Sequence, residues 1–271
     1  MARLDAELVS RGIARSRERA KEMIKSGSIT VTSVTAKKAA AEVSENDGIE
    51  SSEQELYVGR GALKIEKAMT EFGLNFSGKV CLDIGASTGG FTDFMLKNGA
   101  EKIFAVDVGH DQLAKSLRDD GRVVNLEGTD IRKVTPEMLG GSVDFISADV
   151  SFISLRMILP KLCELLKDGA NAVVLIKPQF EAGKNIGKHG IVRDRKVHER
   201  VLSEIDASVA GAGLFAVDYT FSPVKGGSGN IEYLAELRKT SETPLIRNFK
   251  ELVENSFSKL KEQSYESSIV P

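Results

Sequence analysis

The sequence contains few of the residues that build metal centres and cross-links, with two cysteines and three histidines in 271 residues. Cys81 and Cys163 lie inside apolar segments and have no further ligand residues at a regular spacing, so they indicate neither a disulfide framework nor a zinc site. The histidines are too scattered along the chain to predict a metal site; they are His110, His189 and His198. No metal is therefore expected.

Long hydrophobic runs are scarce as well. No segment approaches the roughly 18 consecutive apolar residues that indicate a membrane-spanning helix. The N-terminus begins with charged residues instead of the apolar core of a signal peptide. With 41% hydrophobic and 28% charged residues, the composition is that of a globular protein with one large or two unequal domains. We expect a cytoplasmic protein that does not bind a membrane.

The net charge of -2 conceals an excess of positive charge in the first 25 residues, where seven basic residues outnumber four acidic ones. Two short helices are predicted here, and Arg15 and Arg19 lie one turn apart on the second. Such a face suits RNA phosphates. The alternative is a solvated amphipathic helix whose charges contact only water. The candidate RNA-binding residues of this segment are Arg3, Arg11, Arg15, Arg17, Arg19 and Lys21.

The two helices are followed by a small predicted sheet, with one strand over 29–32 and another near 41–43. Over about residues 1–58, this order resembles the S4 RNA-binding domain, first seen in a ribosomal small-subunit protein. The resemblance rests on a Leu-x-x-x-Leu-Val opening, the Ser16-Arg17 helix start and an Ile-x-x-Gly-x-Ile-x-Val close. The chain departs from the family at Thr32-Ser33, where an Asn-Gly hairpin is usual. The resemblance implies binding to structured RNA.

From residue 59 onward, strand and helix patterns alternate, which predicts a mostly parallel sheet. The predicted strands cover residues 80–85, 102–108, 122–126, 143–149, 171–177, 214–221 and 231–237. The predicted helices after the first strand cover 89–98, 111–118, 155–167 and 195–210. A short Gly-rich loop separates the last two strands, so the final strand is expected to insert antiparallel. The expected domains are 1–58, 59–243 and a C-terminal helix and tail at 244–271.

The stretch from Val80 to Phe91 is typical of a buried strand that turns through glycines into a helix, where open α/β sheets bind adenosine-containing ligands. Asp107 lies 24 positions after Asp83, about where an acid binds ribose hydroxyls. Asp130 would accept from an adenine amine, or else bond to its own backbone as a turn aspartate. Because the remaining residues of a methyl-transfer site recur at later strand ends, the adenosine-containing ligand is expected to be S-adenosylmethionine. Its candidate binding residues are Asp83, Gly85, Ser87, Gly89, Gly90, Asp107 and Asp130.

Two other enzyme classes share parts of this turn. Nicotinamide cofactors favour Gly-x-Gly-x-x-Gly, whereas this chain has Gly-x-Ser-x-Gly-Gly. The same residues match the Gly-x-Ser-x-Gly motif of the nucleophile elbow in α/β hydrolases, in which Ser87 would be the nucleophile. A hydrolase also needs a histidine at a later strand end. His198 precedes the final two strands and lies in a charged helical stretch, so a hydrolase is disfavoured.

Charged residues also interrupt apolar segments at other strand ends. Asp149 and Lys177 each end an apolar run, and Glu232 opens the last predicted strand. Lys64 lies in the first turn of a predicted helix, where the helix dipole disfavours a cation. A buried charge is costly unless it is paired, and Asp149 is the natural partner of Lys177. Separate structural salt bridges are the alternative explanation of these four charged residues. Their expected position near one ligand-binding site favours a functional role instead.

The chain resembles the FtsJ-like ribose 2'-O-methyltransferases and, with its N-terminal domain, the TlyA family of ribosomal RNA cytidine 2'-O-methyltransferases, historically called hemolysins. The resemblance extends over residues 1 to about 240 and rests on the motifs Gly59–Ala68, Asp83–Asp93, Asp149–Ile153, Lys177–Glu181 and Gly229–Glu232. Family members often have Ser in place of Gly59 and Gly in place of Ala62. The resemblance implies an α/β, Rossmann-like methyltransferase sheet with a small N-terminal α+β RNA-binding domain. It also implies a catalytic tetrad of Lys64, Asp149, Lys177 and Glu232.

The expected reaction is an in-line attack of a ribose 2'-oxygen on the sulfonium methyl group of S-adenosylmethionine, with no metal required. Lys177 in its neutral form is the candidate base and Asp149 would orient it. Glu232 and Lys64 would position the ribose. The expected partners are 16S or 23S ribosomal RNA, with a cytidine as the target, or ribosomal subunits. The protein is expected to be a monomer or a weak dimer.

The loop from Pro178 to Arg193 is rich in glycine and basic residues and is expected to clamp the RNA. An ordinary flexible surface loop is the alternative. Its candidate RNA-binding residues are Lys184, Lys188 and Arg193. Two other functions stay open, a noncatalytic RNA-binding protein and a membrane-active hemolysin. The second needs a spanning or strongly amphipathic element, which the sequence does not show.

Overall fold

The computed structural model describes residues 2–11, 13–14, 17–52, 57–183, 190–240, 242 and 246–269, with side chains up to residue 260. The chain divides into two compact units, Met1–Val58 and Gly59–Pro271. Each unit has its own hydrophobic core. Within the described ranges, no helix is both long enough and apolar enough to cross a bilayer.

The N-terminal unit contains two helices and two small antiparallel sheets. Its elements are β1 (Ala2–Arg3), α1 (Leu4–Ser10), α2 (Arg17–Lys25), β2 (Ile29–Val31), β3 (Val34–Thr35), β4 (Glu42–Val43) and β5 (Ile49–Ser51). The strands pair in the orders β3-β2-β5 and β1-β4. Leu4 and Leu8 of α1 pack with Ala20, Met23 and Ile24 of α2, because each helix places its apolar residues on one face.

A tight hairpin connects β2 and β3, although the sequence there lacks the Asn-Gly pair that is usual in the family. Thr32 and Ser33 form the two-residue loop, and both have positive φ, at 48° and 64°. Positive φ at both central residues is the requirement of a type I' hairpin turn, which Asn-Gly usually meets. The two strands therefore pair as a tight hairpin without an asparagine or a glycine in the loop.

The C-terminal unit is built around a seven-stranded mixed sheet. Its strands are β6 (Val80–Ile84), β7 (Lys102–Asp107), β8 (Val123–Glu127), β9 (Val143–Ala148), β10 (Leu166–Ile176), β11 (Phe215–Phe221) and β12 (Tyr233–Arg238). Its helices are α3 (Ala62–Phe72), α4 (Gly90–Lys97), α5 (Lys115–Arg118), α6 (Pro136–Leu139), α7 (Leu159–Leu165), α8 (Pro178–Glu181), α9 (Arg195–Gly211) and α10 (Lys250–Ile269). Single 3-10 turns cover Ile131–Lys133 and Leu155–Met157.

The strand order across this sheet is β11-β12-β10-β9-β6-β7-β8. Five adjacent strands run parallel to one another, namely β10, β9, β6, β7 and β8. The strand β12 is antiparallel to both of its neighbours, β10 and β11. This confirms the predicted α/β class and the antiparallel insertion of the last strand. The chain leaves β6 towards β7 on one side and later enters β9 on the other. That reversal creates the crevice where open α/β sheets bind ligands.

The core of this unit covers both faces of the sheet. Leu82, Ile146 and Val174 of the central strands are fully buried, as parallel strands covered by helices require. Val253 and Leu260 of α10 belong to the same core, so the last helix packs on the sheet unit. Each such side chain contributes about 1.5–3 kcal/mol by leaving water.

The structure differs from the predicted elements mainly where short turns replace long helices. The helix predicted over 111–118 is reduced to α5, and the one predicted over 155–167 begins with a 3-10 turn and ends where β10 starts at Leu166. A helical turn, α8, also begins inside the predicted loop because Pro178 occupies its first position. Periodicity does not resolve elements of three or four residues, since they present too few residues to form a stripe.

Candidate active site

The glycine turn after β6 lets two strand ends approach closely. Gly85 has φ of +78°, and a Cβ atom there would lie 2.4 Å from the carbonyl oxygen of Asp149. The Gly85 amide donates to the Val106 carbonyl at 2.8 Å, and the Asp149 amide donates to the Ile84 carbonyl at 2.9 Å. A side chain at position 85 would force β6 and β9 apart. The turn therefore brings Asp149 to the end of the central strand.

Asp83 lies beneath this turn and is 1% exposed. Its two carboxylate oxygens accept hydrogen bonds from Thr92 Oγ1 at 2.7 Å and from Ser147 Oγ at 2.9 Å. Burial raises the pKa of Asp83 to about 6, because a charged carboxylate is poorly solvated there. Asp83 is not among the residues that line the two cavities described next. The structure gives it the position of a brace between β6, α4 and β9.

Two cavities open at the carboxyl ends of the parallel strands. The larger measures about 810 Å³, within the range of about 300–1,000 Å³ typical of small-molecule sites. The smaller measures about 200 Å³ and is lined by cations that include Arg60, Lys64 and Lys225. Both cavities share three lining residues, Gly85, Ser87 and Asp149. They meet at the glycine turn.

The two predicted acids of the larger cavity are both engaged by nearby backbone. Asp107 accepts from the Ser87 amide at 2.8 Å and from the Gly109 amide at 2.7 Å, which leaves each oxygen a second lone pair. Asp130 accepts from the amide of Arg132 at 2.9 Å and from its guanidinium. These bonds lower the pKa of Asp130 to about 2. The turn-aspartate alternative for Asp130 is thus present, although the residue also lines the cavity.

The remaining glycines of the turn differ in what they contact. Gly90 lines the smaller cavity at the start of α4. Gly89 has φ of +95°, and a Cβ there would lie 2.2 Å from a methyl carbon of Leu117. Gly90 thus faces the cavity, whereas Gly89 allows the turn to pack against α5.

Four charged side chains that are far apart in the sequence converge beside these cavities. Lys64 Nζ lies 2.8 Å from Glu232 Oε2 and 3.2 Å from Asp149 Oδ2. Lys177 Nζ lies 2.5 Å from Asp149 Oδ1. The result is a chain of alternating charge, Glu232, Lys64, Asp149, Lys177. Its members come from the first turn of α3 and from the ends of β9, β10 and β12.

Burial makes these ion pairs strong and mutually dependent. Lys64, Lys177 and Glu232 are 9%, 8% and 2% exposed. Burial alone would lower the pKa of Lys64, but the carboxylates of Asp149 and Glu232 outweigh it and raise that pKa. Burial alone would raise the pKa of Asp149, but Lys64 and Lys177 outweigh it and lower that pKa. Lys64 and Asp149 are therefore held in their charged forms.

Two polar residues extend this network and were given no role by the sequence analysis. Lys177 Nζ donates to Ser151 Oγ at 2.8 Å. Gln179 Nε2 donates to Glu232 Oε1 at 3.3 Å. Both residues stand two positions from a predicted tetrad member, Asp149 or Lys177. That nearness is the sequence signal that would have found them.

A third residue missed by the sequence analysis joins two loops beside the site. Asn230 is 1% exposed, accepts from the Val192 amide at 2.9 Å and donates to the Gly190 carbonyl at 2.9 Å. It thereby ties the end of the basic loop to the segment that carries Glu232. Of the predicted RNA-binding residues in that loop, Arg193 is exposed. Lys184 and Lys188 lie outside the described residues.

His198 is a core residue with both ring nitrogens engaged. Nδ1 lies 2.9 Å from the Tyr233 hydroxyl and Nε2 lies 3.0 Å from the Val192 carbonyl oxygen. Burial lowers the pKa of His198, so the ring stays neutral. These partners leave no ring nitrogen for Ser87, which removes the geometry that a Ser-His hydrolase needs. Among the described residues, no cluster of histidine, cysteine and carboxylate side chains could hold a metal ion.

Most of the described arginines predicted to bind RNA form bonds within the N-terminal unit. Arg3 and Arg17 both pair with the buried carboxylate of Asp5, at 3.0 and 3.1 Å. The hydrogen bonds that Arg3 and Arg17 donate hold the pKa of Asp5 well below its usual range, and the bond from Arg3 has the largest effect. Arg19 pairs with Glu22 at 3.4 Å.

Arg11 is engaged more fully than these arginines. Its guanidinium bonds to Glu7 at 2.8 Å and to the backbone carbonyls of Asp47, Ser44 and Glu45 at 2.7, 3.1 and 3.0 Å. This places Arg11 as a structural support of the turn before β5. Lys21 is exposed, and Arg15 lies outside the described residues.

A seven-stranded sheet with an antiparallel last strand and a glycine turn after its central strand defines the Rossmann-like methyltransferase class. The FtsJ-like methyltransferase family matches residues 57–239, and the S4 domain family matches residues 2–49. The chain belongs to the FtsJ-like methyltransferase family and carries an S4 domain at its N-terminus.

Similar proteins carry two kinds of name. The chain is 43% identical over 247 residues to the 16S/23S rRNA (cytidine-2'-O)-methyltransferase TlyA of Mycobacterium tuberculosis, covering 90% of this chain and 92% of that protein. It is 43% identical over 235 residues to Hemolysin A of Brachyspira hyodysenteriae, covering 86% of this chain and 98% of that protein. A solved structure from Streptococcus thermophilus, with a provisional hemolysin name, has a TM-score of 0.79 at 39% identity and covers 97% and 98% of the two chains.

Proposed function

We propose that this protein transfers a methyl group from S-adenosylmethionine to the ribose 2'-hydroxyl of a cytidine in 16S or 23S ribosomal RNA. The observation that carries the proposal is the buried chain of Glu232, Lys64, Asp149 and Lys177 beside a cavity of ligand size. The substrate class follows from TlyA, a relative over nine tenths of the chain. The S4 domain supports an RNA substrate.

The two cavities fit S-adenosylmethionine as a pair. The larger, with Asp107 and Asp130 on its wall, suits a nucleoside, and its carboxylates offer acceptors to ribose hydroxyls and an exocyclic amine. The smaller, cationic cavity suits the amino acid part, whose carboxylate Arg60 would attract. When bound, S-adenosylmethionine supplies a methyl group whose bond to sulfur breaks with the electron pair going to sulfur. Gly85 and Asp149 line both cavities and would therefore contact a cofactor that occupies the two.

The chain itself supplies a base and the groups that hold it. Lys177 in its neutral form takes the proton of the ribose 2'-hydroxyl at Nζ and becomes an ammonium. Asp149 stabilises that ammonium through the pair at 2.5 Å. Lys64, kept charged by Glu232, would attract the developing oxyanion. Alignment of the hydroxyl oxygen with the methyl carbon provides much of the remaining acceleration.

The experiment that tests this proposal compares Lys177→Ala and Lys177→Arg with the wild type. Both variants should lose methyl transfer to ribosomal subunits by about 100-fold or more, because neither alanine nor arginine can take the proton of the 2'-hydroxyl. Arginine keeps a cation beside Asp149, so Lys177→Arg separates loss of the base from loss of the ion pair. Methyl transfer is measured with radiolabelled S-adenosylmethionine and mapped as 2'-O-methylation, and cofactor binding is measured by calorimetry.

The matched control is Lys250→Ala, which removes an exposed lysine at the start of α10. It should leave methyl transfer and cofactor binding unchanged. Methyl transfer by Lys177→Ala at the wild-type rate would remove Lys177 from the reaction. Binding of ribosomal RNA without any methyl transfer by the wild type would favour a noncatalytic RNA-binding protein.

A further inference from the structure

The amine of Lys177 has two protein contacts of different kinds. Asp149 Oδ1 lies 2.5 Å away, yet it makes no well-directed hydrogen bond within the described part of the chain. The opposite charges of Lys177 and Asp149 attract each other across this contact. The directed hydrogen bond of the amine goes to Ser151 Oγ at 2.8 Å. Ser151 is exposed and lines the larger cavity.

A neutral amine can act as a base only in the direction of its lone pair. The nitrogen of a neutral lysine carries two N–H groups and one lone pair, and rotation about the bond to Cε exchanges these three positions at little cost. A carboxylate such as Asp149 accepts hydrogen bonds and cannot donate when it is ionised. It attracts an N–H but does not by itself determine which of the other two positions holds the lone pair.

We propose that Ser151 is a positioning residue that directs the lone pair of Lys177 towards the ribose 2'-hydroxyl. This inference rests on the proposed function. With Ser151 accepting one N–H and Asp149 attracting the other, the lone pair takes the third position, away from both oxygens. A hydroxyl suits this task because it orients the amine without adding negative charge. A second carboxylate in place of the Ser151 hydroxyl would further stabilise the ammonium form of Lys177, which cannot accept a proton.

The loop that carries Ser151 is tied to the segment that carries Lys177. Glu181 Oε2 accepts from Ser154 Oγ at 2.6 Å, and Glu181 Oε1 accepts from the Leu155 amide at 2.7 Å. The rings of Phe152 and Phe180 pack with their centroids 5.0 Å apart. These contacts join residues 151–155 to residues 177–181. The Ser151 hydroxyl is thereby held at a defined distance from the amine.

The test uses the full-length protein and compares Ser151→Ala with Ser151→Thr. Ser151→Ala removes the acceptor and should slow single-turnover methyl transfer by about 10- to 100-fold, the range expected from a misdirected reacting group. Ser151→Thr keeps a hydroxyl on the same carbon and should stay within about threefold of the wild type. Both should bind S-adenosylmethionine within about twofold of the wild type and show the wild-type unfolding temperature. Ser116→Ala, an exposed serine of α5, is the matched control and should react like the wild type.

The dependence of the single-turnover rate on pH separates positioning from mere support of the loop. A lone pair that is no longer directed lowers the rate at every pH, so Ser151→Ala should have a lower plateau than Ser151→Thr even at alkaline pH. A Ser151→Ala variant that reacts at the wild-type rate would overturn the inference, as would equal losses in the alanine and threonine variants. Both results leave the proposed function standing. The proposed function fails instead if the wild type transfers no methyl group. Full activity of Lys177→Ala would remove Lys177 as the base and would overturn this inference with it.

Discussion

Two basic residues, Arg11 and Lys177, illustrate how the surroundings of a side chain decide what it does. The guanidinium of Arg11 has four hydrogen-bond partners in its own unit, three of which are backbone carbonyls. The amine of Lys177 has an ion pair, one directed bond and an adjacent cavity. An arginine with four of its five N–H groups bonded within the protein holds a structure together, whereas a lysine beside a cavity is available to a substrate.

Replacement of Arg11 by alanine should loosen the N-terminal unit without removing a direct RNA contact. The loss of several charge-assisted hydrogen bonds should cost about 1–3 kcal/mol. Amide hydrogen exchange in peptides from residues 2–52 should accelerate, and exchange in the C-terminal unit should stay unchanged. Unaltered exchange in residues 2–52 would show that the turn before β5 does not depend on Arg11.

Lys21→Ala is the contrasting variant, because Lys21 is exposed on α2. It should change stability by less than about 0.5 kcal/mol. If Lys21 contacts a phosphate, RNA affinity should fall and the slope of log affinity against log salt should decrease by about 1. Filter binding across a salt series measures both quantities. An unchanged slope would place Lys21 away from the RNA.

At the level of elements, the glycine turn after β6 determines how closely two strand ends approach. Gly85 has a left-handed backbone, and its missing side chain leaves room for the Asp149 carbonyl. The same turn places Gly90 at the start of α4 and Ser87 on the walls of both cavities. The position of Asp149, and through it that of both lysines, therefore depends on a few backbone angles.

Gly85→Ala should destabilise the C-terminal unit by more than about 2 kcal/mol and weaken cofactor binding by at least about tenfold, because strain and a backbone clash act together. The matched control is Gly140→Ala. Gly140 has a similar φ of +74°, but no described atom lies within 4 Å of its added Cβ. The control should lose about 1–2 kcal/mol from backbone strain alone. Urea unfolding and calorimetry measure the two effects, and equal losses in both variants would contradict the proposed clash.

At the level of the whole C-terminal unit, a buried polar network links its last elements. His198 of α9 bonds to the Tyr233 hydroxyl of β12, which lies 3.2 Å from Ser256 Oγ of α10. Ser256 in turn donates to the Val253 carbonyl at 2.7 Å. The strand that follows Glu232 is thereby attached to two helices. Stability of this unit is thus coupled to the protonation of one histidine.

Stability of the C-terminal unit should fall as the pH drops below about 6.5. Because the pKa of His198 is lowered in the folded state, the unfolded chain takes up its proton first, near the ordinary value of about 6.5. Above pH 7 the ring is neutral in both states and the contribution vanishes. The stability advantage of the wild type over His198→Gln should therefore shrink between pH 7 and pH 5.

Urea unfolding of both proteins at several pH values measures this difference. The buried carboxyl of Asp83, whose pKa is raised to about 6, also titrates in this range but contributes equally to both proteins and cancels. A constant difference between wild type and variant would show that His198 does not resist protonation.

Much of the fold could be predicted from local patterns, whereas the details of the candidate site could not. The alternation of apolar strands with amphipathic helices predicted the parallel sheet, because each element must bury one face. The short Gly-rich loop before the last strand predicted that this strand is antiparallel. The bracing of Asp83 by Thr92 and Ser147 was not predicted. The hydroxyl groups that donate to Asp83 belong to residues 9 and 64 positions further along the chain, and no local sequence pattern identifies them.

The sequence by itself determined the order and type of the main elements, and it placed glycines and charged residues at the strand ends, because periodicity and turn chemistry act over a few neighbouring residues. The sequence suggested the pair of Asp149 with Lys177, but only the tertiary structure showed that Lys64 pairs with both Asp149 and Glu232. Lys64 and Glu232 are 168 positions apart, yet their charged atoms lie 2.8 Å apart. Electrostatic attraction and hydrogen bonding depend on distance and direction in space, which arise only when the sheet has assembled.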